Sequence, residues 1–462
     1  MIKIKDCKTV ELSVDLQSNL FFCRDRVFRA INSDYIDEVK EMFKSGFIDE
    51  VIEKKLFPKT WISEEQIENY ALVIEHEYIN HWNYPYEWSF SMLKDAAQTV
   101  LDINRIANKY GYEIMDGHSY NVVFNMNKPQ YIDLGSFIKK SDTKNNWSSY
   151  RIFYNHFYIP LDLWSNNYSN IARNIFLMED DFNEIEFLRF KYKLLNKVIK
   201  TQFIIQLINN SHRLALSSYS KINIKLKNKT FKKHIALLLF KLLKNSYTSN
   251  RIEQKILKLH KPIEKSMWND YHNDIIPEKN ERFIRIKEII NSLTDVTSAI
   301  ELASNQGKFA KFILDNTHIK QIIATDYDKE AVDIMYINNK NSENFLPLLF
   351  DFVRTNGRKY DEHIYTRIKS DLVIALAVTH HLLLTQNISI EFIFKTMKRL
   401  TNKYIIVEFM PIGLYGGNID TVPSLPNYYN LDWFKDNFNL HFDLILDEKL
   451  EFNRHLFVGR LK

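Results

Sequence analysis

Hydrophobic residues in the last third of the chain alternate between two spacings. Short apolar runs typical of buried strands are followed by segments whose apolar residues recur every three or four positions, as in a helix. The strand-like runs are SAIELA (298–303), QIIATD (321–326), LPLLFDF (346–352), DLVIALA (371–377) and YIIVEFM (404–410). The alternation predicts an α/β, Rossmann-like domain at residues 291–462, with ligands at the carboxyl ends of a parallel sheet.

The first 290 residues show other patterns. Residues 1–145 mix strand-like runs such as RVFRAI and ALVIEHEYI with one long helical segment at 90–111, which predicts an α+β domain. Residues 146–290 carry apolar residues at helical spacing with few turn signals, and predict a mostly helical middle segment with a connector.

Composition bounds the function classes. With 462 residues, 45% hydrophobic and 26% charged, the chain should form several cores, which excludes a single small binding module. A net charge of +5 spread over this length does not indicate a nucleic-acid partner. The lysine-rich residues 221–244 predict either a solvated helix face or a basic surface for peripheral docking at the inner membrane surface.

The cysteines and the N-terminus bear on the compartment. Two cysteines, Cys7 and Cys23, are too few for a disulfide framework and form no zinc motif, so a reducing compartment fits. The N-terminus lacks the apolar stretch of a signal peptide, and the longest aliphatic run is too short to span a bilayer. We therefore expect a cytoplasmic protein.

The first strand of the α/β domain ends in an acidic, glycine-spaced turn. The run from Glu301 through Ala303 and Asn305 to Gly307 opens directly into a helix. It resembles the loop that binds S-adenosylmethionine (SAM) in class I methyltransferases, with Ala303 in place of the first glycine.

The next two strands also end in carboxylates. Asp326, followed by Asp328, stands where a side chain accepts ribose hydroxyls in doubly wound nucleotide folds. Asp351 can accept from an adenine amino group while Phe352 packs on the ring. Taken singly, each Asp could instead cap the following helix. Their joint order and spacing favour a SAM site.

The fourth strand runs into two histidines, His380 and His381. Class I methyltransferases place residues that face the methyl acceptor here. Transfer to a hydroxyl needs alignment and proton removal, for which a side chain with a pKa near about 6.5 is suited. We predict that one of the pair is the base; the alternative is a structural brace.

These motifs, with YPYEWSFSMLKDAA (84–97), IDLGSF (132–137) and VEFMP (407–411), resemble the bacterial methyltransferases grouped with the nodulation protein NoeA. The resemblance covers most of the chain and is weakest at about 165–260. It implies modification of surface or secreted saccharides.

The N-terminal domain carries a second set of motifs. Asp116 and Asn121 have the D-x-x-x-x-N spacing of a kinase catalytic loop, and Asp133 opens a D-L-G in the place of D-F-G. In a kinase-like domain Asn121 and Asp133 would hold magnesium on ATP. No glycine-rich phosphate loop precedes them, and Arg29 is the nearest cationic candidate. Either an active kinase or a kinase-like scaffold fits.

The main hypothesis is a SAM-dependent O-methyltransferase of a saccharide or glycolipid precursor, joined to a kinase-like domain at 1–145. The alternatives are a bifunctional kinase–methyltransferase of a surface glycan, and a protein or nucleic-acid methyltransferase.

Overall fold

The computed structural model describes residues 2–9, 15–141, 146–178, 187, 247–262, 276–355, 357–359 and 361–462. The chain divides into two compact units of interleaved stretches: an N-terminal unit (1–78, 93–123 and 130–262) and a C-terminal unit (79–92, 124–129 and 263–462). The lysine-rich residues 221–244 and much of the predicted helical middle segment lie outside the described residues.

The N-terminal unit is built on a five-stranded antiparallel sheet in the order β1-β2-β3-β5-β4. The strands are β1 (Lys8–Thr9), β2 (Ser18–Cys23), β3 (Arg26–Ile31), β4 (Thr60–Ile62) and β5 (Leu72–His76). Two helices, α1 (Ile36–Lys44) and α2 (Phe47–Glu53), connect β3 to β4. β5 is buried along its whole length, so it lies in the interior of the unit.

A long helix and two strand pairs follow the sheet. Helix α3 (Phe90–Lys109) ends before Gly111, whose positive φ of 81° stops the helix. β6 (Tyr112–Ile114) pairs with β9 (Phe137–Lys139), and β7 (Val122–Asn125) pairs with β8 (Lys128–Tyr131). The later helices are α4 (Tyr150–Phe153), α5 (Ile159–Ser165), α6 (Ser169–Asn174) and α7 (Ser249–Leu257).

The two cysteines form a disulfide between Cys7 and Cys23. The antiparallel register of β1 and β2 pairs Lys8 with Phe22, which places the two cysteines opposite each other. The sequence did not predict this bond, because it depends on a strand pairing that spacing alone does not reveal. The cysteines were expected to be reduced, as in a reducing compartment, and the disulfide contradicts that expectation.

The C-terminal unit contains a seven-stranded sheet in the order β12-β11-β10-β13-β14-β16-β15. The strands are β10 (Ser298–Leu302), β11 (Gln321–Asp326), β12 (Phe345–Leu349), β13 (Ser370–Ala375), β14 (Thr401–Phe409), β15 (Phe442–Glu451) and β16 (Arg454–Leu461). The first five in sequence run parallel, and β16 joins β14 antiparallel. The predicted α/β fold is confirmed; the β15–β16 hairpin was not predicted.

Helices separate the parallel strands. They are α8 (Glu281–Ser292) before β10, then α9 (Lys308–Asn316), α10 (Lys329–Asn338), α11 (Ile364–Arg367), α12 (Thr379–Leu384), α13 (Ile390–Leu400) and α14 (Leu431–His441). Strand order reverses between β10 and β13, so the crevice that binds ligands in such folds is expected at their carboxyl ends.

A short segment from the first half of the chain, residues 79–92, belongs to the C-terminal unit. Its turn Pro85–Glu87 packs against the edge strand β12, which protects that edge from pairing. The Glu87 carboxylate forms a buried ion pair with the Arg367 guanidinium. The domain boundaries predicted from sequence, at residues 145 and 290, do not separate residues 79–92 from the rest of the first domain.

Among the described residues, no helix combines the length and the apolarity that a membrane span requires.

Candidate functional site

The turn after β10 holds three alternate residues in left-handed backbone conformations. Ala303, Asn305 and Gly307 have φ values of 55°, 52° and 71°. The turn is fixed by hydrogen bonds from the Ser304 backbone nitrogen to the Thr325 carbonyl (2.8 Å) and from the Gly307 nitrogen to the Ser304 carbonyl (2.9 Å). The predicted loop therefore keeps a glycine-like path although two of the three positions are not glycine.

Gly307 is required by packing as well as by φ. A Cβ atom there would lie 2.7 Å from Met335 Cγ and 3.0 Å from Phe345 Cζ. The helix that follows can approach the sheet closely because this side chain is missing.

Asp326 lies at the carboxyl end of β11, buried beside the turn. Its Oδ2 accepts from the Asn305 backbone nitrogen and its Oδ1 from the Asp328 nitrogen, both at 2.8 Å. Burial raises the pKa of Asp326 to about 6, against the opposing effect of these hydrogen bonds. A carboxylate offers about four acceptor positions, so these backbone hydrogen bonds leave room for a donor from a ligand.

The other two predicted carboxylates have capping roles. Asp328 Oδ1 accepts from the Glu330 and Ala331 nitrogens and caps α10. Asp351 Oδ1 accepts from the Val353 and Arg354 nitrogens, both at 3.1 Å. One carboxylate oxygen of Asp328 and one of Asp351 therefore act as caps, as the alternative interpretation expected. The assignment of these two residues as cofactor ligands stays a prediction.

Phe352 is buried, 5% exposed, and follows Asp351 directly. Its backbone carbonyl accepts from the Tyr365 hydroxyl at 3.2 Å.

A cavity of about 220 Å³ opens at the carboxyl ends of β10 and β13. Its lining includes one carboxyl side chain, Glu301, and two guanidinium side chains, Arg282 and Arg454. Glu301 is 4% exposed, and its Oε2 has no hydrogen-bond partner within the described part of the chain. Burial raises the pKa of Glu301 to about 8, so the carboxyl is largely protonated at neutral pH.

Sequence reasoning missed Glu408, near the end of β14, which binds three residues that line this cavity. Its Oε2 accepts from Arg454 Nη1 at 3.0 Å, from Arg282 Nη1 at 3.3 Å and from the Ala377 nitrogen at 2.9 Å. Glu408 is fully buried, and its Oε1 has no partner among the residues described. The motif VEFMP contained the available signal, a charged residue inside an apolar strand run.

His380 and His381 lie side by side at the start of α12, with ring centroids 4.1 Å apart. Burial lowers the pKa of His380 to about 3, helped by His381 and Arg454, and burial also lowers the pKa of His381. The premise of an ordinary histidine pKa is therefore wrong for this pair. Both rings are neutral at physiological pH and can accept a proton, but His380 is a weak base while buried.

The kinase-like residues lie together in the N-terminal unit. The Asn121 amide nitrogen and the Tyr131 hydroxyl both donate to the Asp116 carbonyl, at 3.2 and 2.7 Å. The Asp133 carboxylate accepts from the Gly135 nitrogen and lies 3.4 Å from Arg29 Nη2. Within the described residues, no three His, Cys, Asp or Glu side chains lie close enough together to hold a metal ion. The predicted magnesium site at Asn121 and Asp133 therefore has no support from the positions of the protein side chains.

Comparison with known proteins begins with sequence relatives. No family model matches the chain. Nodulation protein NoeA of Rhizobium meliloti (strain 1021) is 26% identical over 363 residues, which covers 74% of this chain and 71% of that protein.

Solved structures resemble part of the chain at low identity. The N-methyltransferase NodS from Bradyrhizobium japonicum WM9, in complex with S-adenosyl-L-homocysteine, is 11% identical, with a TM-score of 0.32, and covers 41% of this chain and 90% of that chain. A S-adenosylmethionine-dependent methyltransferase from Clostridium acetobutylicum ATCC 824 is 12% identical, with a TM-score of 0.31, and covers 42% of this chain and 96% of that chain. Values this low do not establish a shared function.

Proposed function

We propose that the C-terminal unit is a SAM-dependent methyltransferase that methylates a hydroxyl group of a saccharide or glycolipid precursor. The observation that carries this proposal is the cavity at the strand ends, which Glu301 and Arg454 both line and whose adjoining turn is bonded to the carboxylate of Asp326. A nucleoside with a zwitterionic amino-acid tail has matching groups in the same order: ribose hydroxyls, an ammonium and a carboxylate.

The carboxyl and guanidinium groups that line the cavity suit the amino-acid end of SAM. Glu301 would accept from the ammonium group, and the Arg454 guanidinium would donate to the carboxylate. A volume of about 220 Å³ is below the roughly 300–1,000 Å³ of pockets that enclose whole ligands. The cavity therefore fits the tail, with the nucleoside along the edge of β11 and β12.

The nucleoside end has its own predicted partners. Asp326 would accept the ribose hydroxyls through lone pairs that the backbone donors leave over. Asp351 would accept from the adenine amino group through the oxygen that is not engaged in the turn. Bound SAM would supply a methyl group on a sulfonium centre.

The two histidines would receive the acceptor. One imidazole accepts the hydroxyl proton as the oxygen–methyl bond forms and the sulfur–methyl bond breaks. His381 is the more exposed of the pair and so the better placed to meet an acceptor from solvent. Its neighbour His380, 6% exposed, would orient it.

Transfer of a radiolabelled methyl group from SAM tests this function. The full chain is incubated with extracted cell-surface saccharides, protein and nucleic acid, and label is expected in the saccharide fraction. His381→Ala should lower the rate about 10²–10⁴-fold, the range for a lost acid–base group. His318→Ala, which changes a histidine in the loop before the amino end of β11, should leave the rate unchanged.

Two results would contradict the proposal. If label appeared only in protein or nucleic acid, the acceptor would not be a saccharide. Equal rates for the wild type, His380→Ala and His381→Ala would show that neither histidine takes part in proton transfer.

A further inference from the structure

A second cavity, of about 330 Å³, lies within the N-terminal unit between the end of α3, β6 and the start of α7. Of the ten described residues that line it, nine carry polar side chains, four of them asparagines, and the tenth is Trp147. The volume is at the lower end of the roughly 300–1,000 Å³ of pockets that bind small molecules, but such pockets usually have mostly apolar walls. This lining therefore suits a ligand with many hydrogen-bonding groups.

The carboxyl group of Glu113, on β6, is buried at this cavity. Glu113 is 5% exposed, and within the described part of the chain it forms no ion pair. Its Oε2 accepts one long hydrogen bond, 3.5 Å from the Ser148 backbone nitrogen. A buried carboxyl group needs donors, and the protein supplies a single distant one to a group that can accept about four.

The Asn146 side chain offers a second buried acceptor on the same cavity. Its Oδ1 has no hydrogen-bond partner among the residues that the structure describes. The neighbouring amides are held by the protein: Asn104 Oδ1 accepts from the Ile114 nitrogen at 3.0 Å, and Asn108 Nδ2 donates to the Asn104 carbonyl. The lining is thus fixed, while the Glu113 carboxyl and the Asn146 amide oxygen remain for a ligand.

The charges at the cavity limit the class of ligand. Glu113 disfavours a bare anion, and Arg105 and Lys140 on the same lining disfavour a cation. Arg105 is already paired with Asp102 and Glu253, so it is not free to neutralise an anion. A neutral ligand with several hydroxyl groups is favoured, because a hydroxyl both donates to carboxylate or amide oxygens and accepts from amide or ammonium nitrogens.

We propose that this cavity binds one or two sugar units of a neutral saccharide, whose hydroxyl groups donate to Glu113 and Asn146. The Trp147 indole, held by a hydrogen bond from its Nε1 to the Ile114 carbonyl (2.9 Å), packs against the C–H groups of the sugar ring. The proposal goes beyond methyl transfer, because it gives the N-terminal unit a saccharide site that requires no SAM. The site would remain if the methyl acceptor belonged to another class.

Saturation-transfer NMR of the full chain with maltose, cellobiose, lactose and sucrose tests the proposal, with ATP and tetraglycine as competing classes of ligand. The wild type should transfer saturation to at least one disaccharide in the absence of SAM. Asn146→Ala should lower the affinity for that disaccharide about fivefold, and Glu113→Gln about tenfold, as expected for hydrogen bonds to a neutral and to a charged group. Asn146→Ala should not change stability, because Asn146 Oδ1 has no partner within the described chain.

The matched control is Asn170→Ala, which makes the same truncation at an exposed position of α6 and should leave the affinity unchanged. Equal affinity of the wild type, Asn146→Ala and Glu113→Gln would overturn the proposal, since the saccharide would then bind elsewhere. Saturation transfer to ATP or tetraglycine alone, or to none of the probes, would overturn it as well. A chain that binds the disaccharide at this site but does not bind SAM would contradict only the proposed methyltransferase function.

Discussion

At the scale of single residues, the turn 303–307 places two residues with a Cβ atom, Ala303 and Asn305, in the left-handed backbone region that glycine prefers. Ala303 pays the steric cost of a Cβ at positive φ, about 1–2 kcal/mol, whereas Asn305 belongs to the residue types that tolerate it. Strain of this kind persists where other interactions hold the backbone in place. Here the Thr325 carbonyl and the Asp326 carboxylate hold it by accepting hydrogen bonds from backbone nitrogens of the turn.

Substitutions in the turn should therefore have opposite effects on stability. Ala303→Gly should raise the free energy of unfolding by about 0.5–1 kcal/mol, because relief of strain exceeds the entropy that glycine adds to the unfolded chain. Gly307→Ala should lower it by about 1–3 kcal/mol, because the new methyl group would overlap Met335. Urea denaturation measures both; a loss of stability in Ala303→Gly would contradict the strain argument.

The raised pKa of Glu301 predicts a pH dependence of SAM binding. In the free protein the carboxyl holds a proton below about pH 8. An ammonium ligand favours the charged carboxylate, so binding should expel that proton, and affinity should rise from about pH 6.5 to about pH 7.5. Above about pH 8 the ligand's own amino group begins to deprotonate, which limits the rise.

Calorimetry in two buffers of different ionisation enthalpy counts the released proton. The wild type should release a proton near neutral pH, and Glu301→Gln should release less, with a flatter dependence of affinity on pH. Equal proton release in the two proteins would show that Glu301 does not meet the ligand's charge.

At the scale of elements, a buried ion pair joins the segment 79–92 to the rest of the C-terminal unit. The Arg367 and Glu87 side chains are 1% and 2% exposed, and the Arg367 guanidinium also lies over the Tyr84 ring at 4.4 Å. A buried pair loses much of its Coulomb energy to desolvation, yet removing one partner leaves an uncompensated charge.

A double-mutant cycle should show this asymmetry. Arg367→Met and Glu87→Gln should each lower the free energy of unfolding, by about 3–5 kcal/mol where an unpaired charge remains, while the double variant should lose much less than the sum. The surface pair of Lys395 and Glu391, both more than half exposed, is the control and should contribute little. Additive losses at Arg367 and Glu87 would mean that the pair is not coupled.

The strand ends of this sheet could be predicted from sequence because local pattern determines them. β10, β11 and β13 are short, mainly apolar runs with polar residues within a few positions of their carboxyl ends, and that signal lies within about ten residues of chain. Glu408 meets Arg282 across 126 positions, and Glu87 meets Arg367 across 280. Pairs so distant in sequence leave no local signal. The ion pair of Glu408 with Arg282 and the packing of residues 85–87 on β12 could therefore not be predicted from sequence.

At the scale of the whole molecule, each of the two compact units brings together charged side chains that are distant in sequence. In the C-terminal unit, Glu408 pairs with Arg282 and Arg454 beside the cavity that we propose for SAM. In the N-terminal unit, the Arg29 guanidinium lies against the carboxylates of Asp15 and Asp133. Sequence motifs singled out Asp133 and named Arg29 as the nearest cation, but the pairing of Asp15 with Arg29 is visible only in the folded chain.

The most direct test of the central claim is a calorimetric titration of the full chain with SAM. The wild type should bind one SAM per chain, and Asp326→Ala should lose most of that affinity, since it removes the ribose acceptor. Asp371→Asn, which changes a carboxylate at the amino end of β13, should bind like the wild type. Absence of SAM binding by the wild type, or equal affinity in Asp326→Ala, would contradict the methyltransferase assignment.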